Sequence, residues 1–279
     1  MTYIIKTNND LILKNTFSQR CQLLKRYLKK EYEEHLAVTD HGITSHDLCI
    51  NHCLLYAFGE CNASHTHACD KCQEVFQFFD DLKSNLSTSH EEIQEYKNRL
   101  LYYLSHQTRK VYLNAQFNAA LLDLNENGAV LVVDFKMKIL PKTARETKKD
   151  FFGKKGWTLH TILLYTKSHE DSGINVQAID HWSTDARQDA WFTASSLHSV
   201  IENLEIKPKW VSILSDNGPH YHNSELMIIM SKWYEWYGIQ VKKWIFLEAG
   251  EAKTAVDSHH AQVCEIRSLI MNWNRSCTY

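Results

Sequence analysis

Val130-Leu131-Val132-Val133-Asp134-Phe135-Lys136-Met137-Lys138-Ile139-Leu140 decides how this chain is read. In an extended chain successive side chains point to opposite faces, so Leu131, Val133, Phe135, Met137 and Ile139 share one face. Val130, Val132, Asp134, Lys136 and Lys138 share the other, which turns from apolar to charged along the strand. The changeover residue is an aspartate.

Downstream, Trp157 to Thr166 and Ile174 to Asp180 predict two more strands. A helix is expected from near Thr184, an N-cap type of residue, with Ala190, Ala194, Leu197, Ile201 and Leu204 as its apolar stripe. Trp210 to Ser215 predicts a buried strand ending at Asp216. Ser224 can cap a second helix whose Leu226, Met230, Trp233 and Tyr237 share a face, with Gly238 placed as its C′ glycine. Ile239 to Leu247 predicts the last strand and Val256 to Ile270 the final helix. Trp182, Trp191, Trp210, Trp233, Trp236 and Trp244 are expected in the core.

The order β-β-β-α-β-α-β-α predicts an α/β domain with a ribonuclease H-like mixed sheet. Three successive strands suit an antiparallel meander, and the helices suit crossovers. The first strand is then central and the fourth lies parallel beside it. That brings Asp134 and Asp216 together across the sheet. Adjacent carboxylates repel and favour a shared cation; two-metal phosphoryl transfer uses such a set, with Mg²⁺ or Mn²⁺ on hard oxygen ligands.

Upstream of Asn125-Glu126-Asn127-Gly128 the pattern changes. Ser18 to Leu36 predicts an amphipathic helix, with Leu24, Tyr27, Leu28 and Tyr32 on one stripe. Glu91 to Leu124 predicts a long helix through Ile93, Tyr96, Leu100, Leu104 and Val111, with Asn127-Gly128 as its stop signal. The expected division is residues 1–127, a helical Cys/His-rich zinc-binding region, and 128–279, the catalytic-type domain.

Five of the eight cysteines fall between Cys49 and Cys72, beside His52, His65 and His67. The N-terminus carries Lys6, Asn8, Asn9 and Asp10 and lacks a signal-peptide core, so the cluster points to metal rather than disulfides. Cys61-x3-His65-x3-Cys69-x2-Cys72 supplies four ligands for a structural Zn²⁺, with no open position for catalysis. His67 could replace His65, and Cys49, His52 or Cys53 could join the same site or a second one.

A net charge of −2 gives no bulk support for nucleic-acid binding, which would need a local patch or bound cations. Lys136, Lys138, Lys142, Arg145, Lys148, Lys149, Lys154 and Lys155 form such a patch, interrupted by Glu146 and Asp150. It suits a phosphate backbone and equally a solvated hairpin tip. Lys25, Arg26, Lys29 and Lys30 precede Glu31, Glu33 and Glu34 and read as a solvated face. No stretch approaches a membrane helix. The chain is expected inside the cell, in the nucleus or elsewhere, and a homo-oligomer is allowed.

Ser215-Asp216-Asn217-Gly218-Pro219 resembles the (S/T)DNG segment carrying the second aspartate of integrase-type DDE enzymes. Val132-Val133-Asp134 resembles their first-strand aspartate. Asp257-Ser258-His259-His260 is similar to the D-x-x-H motif of Mutator-like and hAT-like DNA transposases, and Glu248 to Lys253 to the G-x-x-K stretch before it. The whole chain resembles transposon-related fungal proteins with a Cys/His-rich front half. The resemblance covers about residues 129 to 265.

It implies a Mg²⁺- or Mn²⁺-dependent enzyme that cuts and joins DNA, with Asp134 and Asp216 as the first two acids. Asp257 is the first choice for the third, with Glu265 and Glu251 as alternatives. The other class of function is a degenerate, non-catalytic descendant that binds DNA or protein; a chain truncated soon after the third acid would suit it. A plain ribonuclease H is weaker, given the D-N-G and D-x-x-H motifs. His220, His222 and His260 can orient substrate or support a ligand, the first two also reading as ordinary loop residues. Asp180 is expected in a turn or cap.

Overall fold

The computed structural model describes residues 11–65, 68–85, 90–139, 147–149, 156–168, 173–247 and 255–263. They divide into two compact units, Met1–Ala115 and Gln116–Tyr279. Glu251, Glu265, His67 and the G-x-x-K stretch lie outside the described residues, as do Lys142, Arg145, Lys154 and Lys155.

The first unit is helical. Helix α1 (Leu11–Lys30), α2 (Leu54–Ala57), α3 (Asp70–Asn85) and the start of α4 (His90–Leu122) supply it, with a 3-10 turn at Glu33–His35. Phe17, Leu24, Tyr27, Tyr32, Phe78, Leu82, Ile93 and Leu104 form its core. The expected first helix begins earlier and ends at Lys30, but its stripe reaches Tyr32, which stays fully buried. Among the described residues between 36 and 69 the regular structure amounts to α2 and a Val38–Thr44 bridge.

The second unit is mixed α/β. It contains β1 (Gly128–Ile139), β2 (Trp157–Lys167), β3 (Ile174–Ser183), α5 (Ala190–Asn203), β4 (Trp210–Asp216), α6 (Ser224–Ser231), α7 (Trp233–Tyr237) and β5 (Gln240–Leu247). Residues 255–263 are helical. The strand order is β3-β2-β1-β4-β5. β1 pairs antiparallel with β2 and β2 with β3, while β1–β4 and β4–β5 are parallel. Leu131, Val133, Phe135, Ile162, Leu164, Val211 and Ile213 face the core shared with α5, α6 and α7. The intervening residues, Asp134 among them, belong to the opposite face.

Several local expectations are corrected. Asp189, not Thr184, caps α5, its side chain accepting from Phe192 N at 2.9 Å. Before it, Asp185 accepts from Arg187 N at 3.0 Å and holds a turn that keeps the chain from entering the helix sooner. Asn223, not Ser224, caps α6, accepting from Leu226 N at 2.8 Å. Gly238 takes the left-handed C-cap of α7 at φ 68°.

Gly128 is no helix stop. α4 ends at Leu122, and Gly128 opens β1 against Trp210, whose ring would lie 2.1 Å from an added Cβ. Trp210 and Trp233 are buried as expected, but Trp182, Trp191 and Trp236 are exposed. Trp191 turns outward to donate its indole N–H to Glu225 at 2.7 Å.

Candidate metal centres

The polar face of the sheet carries a row of side chains at one register. Asp134 on β1 pairs with Thr161 on β2, and Thr161 pairs with Asp180 on β3. On the other side the parallel register of β1 and β4 runs through Val132 and Leu214. Asp134 and Asp216 each lie two residues further on, so alternation directs them to the same face. Residues 255–263 bring Asp257, His259 and His260 to this row. Asp134, Asp257 and His260 each offer a ligand atom within 4.8 Å of the others. Asp257 and His260 stand three apart on one helical face.

The hydrogen bonds fix the state of His260. Thr161 Oγ1 donates its single proton to Asp180 Oδ1 at 2.6 Å. Toward His260 Nε2, 2.9 Å away, that hydroxyl can then only accept, so Nε2 carries the proton. Burial holds the His260 imidazolium down at about 4, helped by the Lys136 charge and opposed by Asp180 and Asp257. The ring is therefore neutral at pH 7, and Nδ1 presents a lone pair. That nitrogen is buried without a hydrogen-bond partner, 3.9 Å from Asp134 Oδ2. A lone pair facing a carboxylate is unfavourable unless a cation lies between them.

Asp180 belongs to the interior of β3 rather than to a turn. It accepts from His259 Nε2, whose distances to the two carboxylate oxygens are 3.0 and 3.1 Å. Asp180, Thr161 and His259 thus orient the imidazole of His260 from behind, as outer partners of metal ligands do.

Asp216 stands outside the 4.8 Å group. Its Oδ1 accepts from Gly218 N at 2.8 Å, closing an Asx-type turn. Gly218 is needed for close approach, since an added Cβ would lie 2.5 Å from the His220 ring and 2.8 Å from Asp216 Oδ1. His220 Nε2 comes within 3.3 Å of the same oxygen but lacks hydrogen-bond alignment. The loop packs its aromatic residues inward, Tyr221 being fully buried with its hydroxyl 3.0 Å from His160 Nε2. Burial, then the charges of Asp134 and Asp216, push the Tyr221 hydroxyl far above its usual range. His222 bonds Asn217 Oδ1 at 2.6 Å and stacks on Phe246.

The cysteines and histidines of the first unit form two further groups. His46, Cys53, Cys61 and His65 make one, and Cys49, His52, Cys69 and Cys72 the other. The four expected zinc ligands are therefore divided: Cys61 and His65 go to the first group, Cys69 and Cys72 to the second. Spacing along the chain does not say which partners each pair takes. These groups have the donor chemistry to hold zinc. The Cys72 thiol is pushed far up by burial and then by the neighbouring Cys69, so without a cation it stays protonated. His46 was not singled out in the sequence, standing seven residues before Cys53.

Residues 113–267 match the family described as Domain of unknown function (DUF8701), more than half of the chain. The chain belongs to that family. All five strands and the Asp134–Asp257–His260 group fall inside the family domain, and the Cys/His groups lie before it. No curated protein matches the sequence. Among solved structures, the crystal structure of the Mos1 strand transfer complex is similar at a TM-score of 0.27 and 13% identity, over 78% of this chain and 66% of that chain. The chain thus spans just under two thirds of that chain's length, and a likeness at this TM-score carries no argument. No helix among the described residues is long and apolar enough to cross a membrane.

Proposed function

We propose that the family domain is a ribonuclease H-like, divalent-cation-dependent nuclease of transposase or integrase type that cleaves and joins DNA. The observation that carries this reading is the buried, unprotonated and unpartnered Nδ1 of His260, aimed at Asp134 with Asp257 alongside. When bound, a cation there supplies Lewis-acid activation of water and stabilises charge at a phosphoryl oxygen. Asp134 and Asp257 hold it through oxygen and His260 through nitrogen. That mixed set favours Mn²⁺ over Mg²⁺. Asp180, Thr161 and His259 keep the imidazole in the required tautomer. Asp216, on the same sheet face, would complete the acidic set and could supply an oxygen to a second cation. Lys136, close enough to depress His260, and the exposed Lys148 and Lys149 contact phosphate. DNA as substrate rests on the resemblance of the S-D-N-G and D-x-x-H segments. In this reading the Cys/His-rich front region, 1–127, is a separate zinc-binding domain in a nuclear protein.

One observation favours a second reading, a non-catalytic descendant that binds DNA or protein. Asp216, the second acid of the expected triad, is engaged by its own turn and stands outside the ligand group. Labelled DNA incubated with the chain and Mn²⁺ or Mg²⁺, beside Asp134→Ala, separates the two. Metal-dependent cleavage lost in the variant supports the nuclease. Equal, metal-independent DNA retention by both proteins, without cleavage, supports the binding module.

A further inference from the structure

The eight candidate ligands of the first unit are wound through one another in chain order. His46 belongs to the first group, Cys49 and His52 to the second, Cys53, Cys61 and His65 to the first, and Cys69 and Cys72 to the second. We propose that residues 46–72 are a binuclear zinc module in which the second site closes the loop that supplies the first. One Zn²⁺ is held by His46, Cys53, Cys61 and His65, and another by Cys49, His52, Cys69 and Cys72.

Donor chemistry supports both sites. The groups are Cys₂His₂ and Cys₃His, each a set that structural zinc takes. A tetrahedral zinc, with Zn–S near 2.3 Å and Zn–N near 2.0–2.1 Å, sets its ligand atoms roughly 3.5–3.8 Å apart. In the first group His46 Nδ1 lies 3.3 Å from Cys61 Sγ and 3.9 Å from Cys53 Sγ, and Cys61 Sγ lies 3.8 Å from His65 Nε2. In the second, Cys72 Sγ lies 3.5 Å from His52 Nε2 and Cys69 Sγ 3.8 Å from His52 Nδ1; one of these nitrogens serves as the ligand, and one donor atom from each of the four residues falls within 4.8 Å of the others. All five cysteines are free thiols. Sulfur and nitrogen atoms at these separations leave room for a central ion.

The surrounding chain supplies the second argument. Among the described residues from 46 to 69 the regular structure is the four-residue helix α2. Little backbone pairing thus holds a segment in which Cys49, His52 and Cys53 are buried. Cross-links from metal ions do so in small domains of this kind.

The interleaving sets a hierarchy. A cation on the second group ties residues 49 and 52 to residues 69 and 72. It closes a loop from 53 to 68 that contains three of the four ligands of the first group. A cation on the first group then fastens His46 to that loop. The second group is also anchored to the helical core: the Tyr27 hydroxyl lies 3.4 Å from His52 Nε2 and 4.0 Å from Cys72 Sγ, and Cys72 sits on α3. Losing the first ion leaves the second site closed. Losing the second opens the loop and releases both.

Native mass spectrometry and elemental analysis of the full chain purified with zinc test this, with Asp134→Asn present in every sample so that the candidate site of the sheet unit is not counted. Two zinc ions per chain with the intact Cys/His set, one after adding Cys61→Ser and none after adding Cys72→Ser are expected. One ion with the intact set overturns the binuclear module, and one ion retained with Cys72→Ser overturns the hierarchy. Because Cys72→Ser can fail to fold, the wild type is also treated with a chelator of rising concentration and pulse-alkylated. Cys53 and Cys61 are expected to react before Cys49, Cys69 and Cys72. Simultaneous or reversed labelling contradicts the nested order.

Discussion

The two units assemble candidate metal centres by opposite means. In the helical unit every ligand lies within residues 46–72, and little regular structure joins them. In the sheet unit Asp134 and His260 are far apart in sequence and meet because a sheet register and a following helix bring them together. In the first unit the binuclear proposal has ions holding residues 46–72; in the second the fold itself brings the candidate ligands together. The comparison turns on what happens when the metal is withdrawn and when the core is damaged.

Zinc removal should have the largest effect. Structural zinc contributes on the order of 10 kcal/mol or more to small domains. Chelation should therefore expose amides of residues 46–72 to hydrogen exchange while β1, β2 and β4 stay protected. Equal loss of protection in the strands would break the contrast.

Core damage should act the other way round. Trp233 is 1% exposed under the sheet, and Trp233→Ala should cost about 3–5 kcal/mol in urea unfolding of the sheet unit. Its neighbour Trp236 is 54% exposed, and Trp236→Ala should stay within about 0.5 kcal/mol of the wild type. Similar losses from both would mean that α7 is packed differently.

A further expected effect is on pH dependence. Burial, followed by the charges of His181, His220 and His260, holds His160 well below its ordinary 6.5. Its folded pKa is depressed, so the unfolded chain binds the extra proton first. Stability is full above about pH 6.5 and falls progressively as pH drops below it, by up to about 1.4 kcal/mol per unit for one such group. His260, held down at about 4, adds in the same direction. The urea midpoint of the sheet unit should drop between pH 7.5 and 5, less steeply in His160→Gln. A midpoint constant over that range would show that these rings are not buried as neutral groups.

The contrast also explains what the sequence disclosed. The alternation around Asp134 was a period-two signal and Trp210 to Ser215 a buried apolar run, and both became strands inside the sheet. Asp134 and Asp257 stood out because one lies where a patterned strand turns from apolar to charged and the other opens a patterned helix. Asp180 was not, because its partner Thr161 is fixed only by the β2–β3 register. Nor was the lone pair of His260, which depends on where one hydroxyl proton goes. Among the cysteines, C-x2-C spacing identified Cys69 and Cys72 as a pair. The division of the ligands into two groups is not encoded in their spacing. Exposed Trp182, Trp191 and Trp236 were misplaced because size and apolarity alone do not fix the outward side of an edge strand or helix.

The central claim concerns one nitrogen atom. Pulsed electron paramagnetic resonance of Mn²⁺ bound to the zinc-loaded chain reads histidine coordination directly. The account predicts a single coupled histidine nitrogen, lost in His260→Gln, and Mn²⁺ binding itself strongly weakened in Asp134→Asn. Tight Mn²⁺ binding with no nitrogen coupling, or coupling unchanged in His260→Gln, would contradict it.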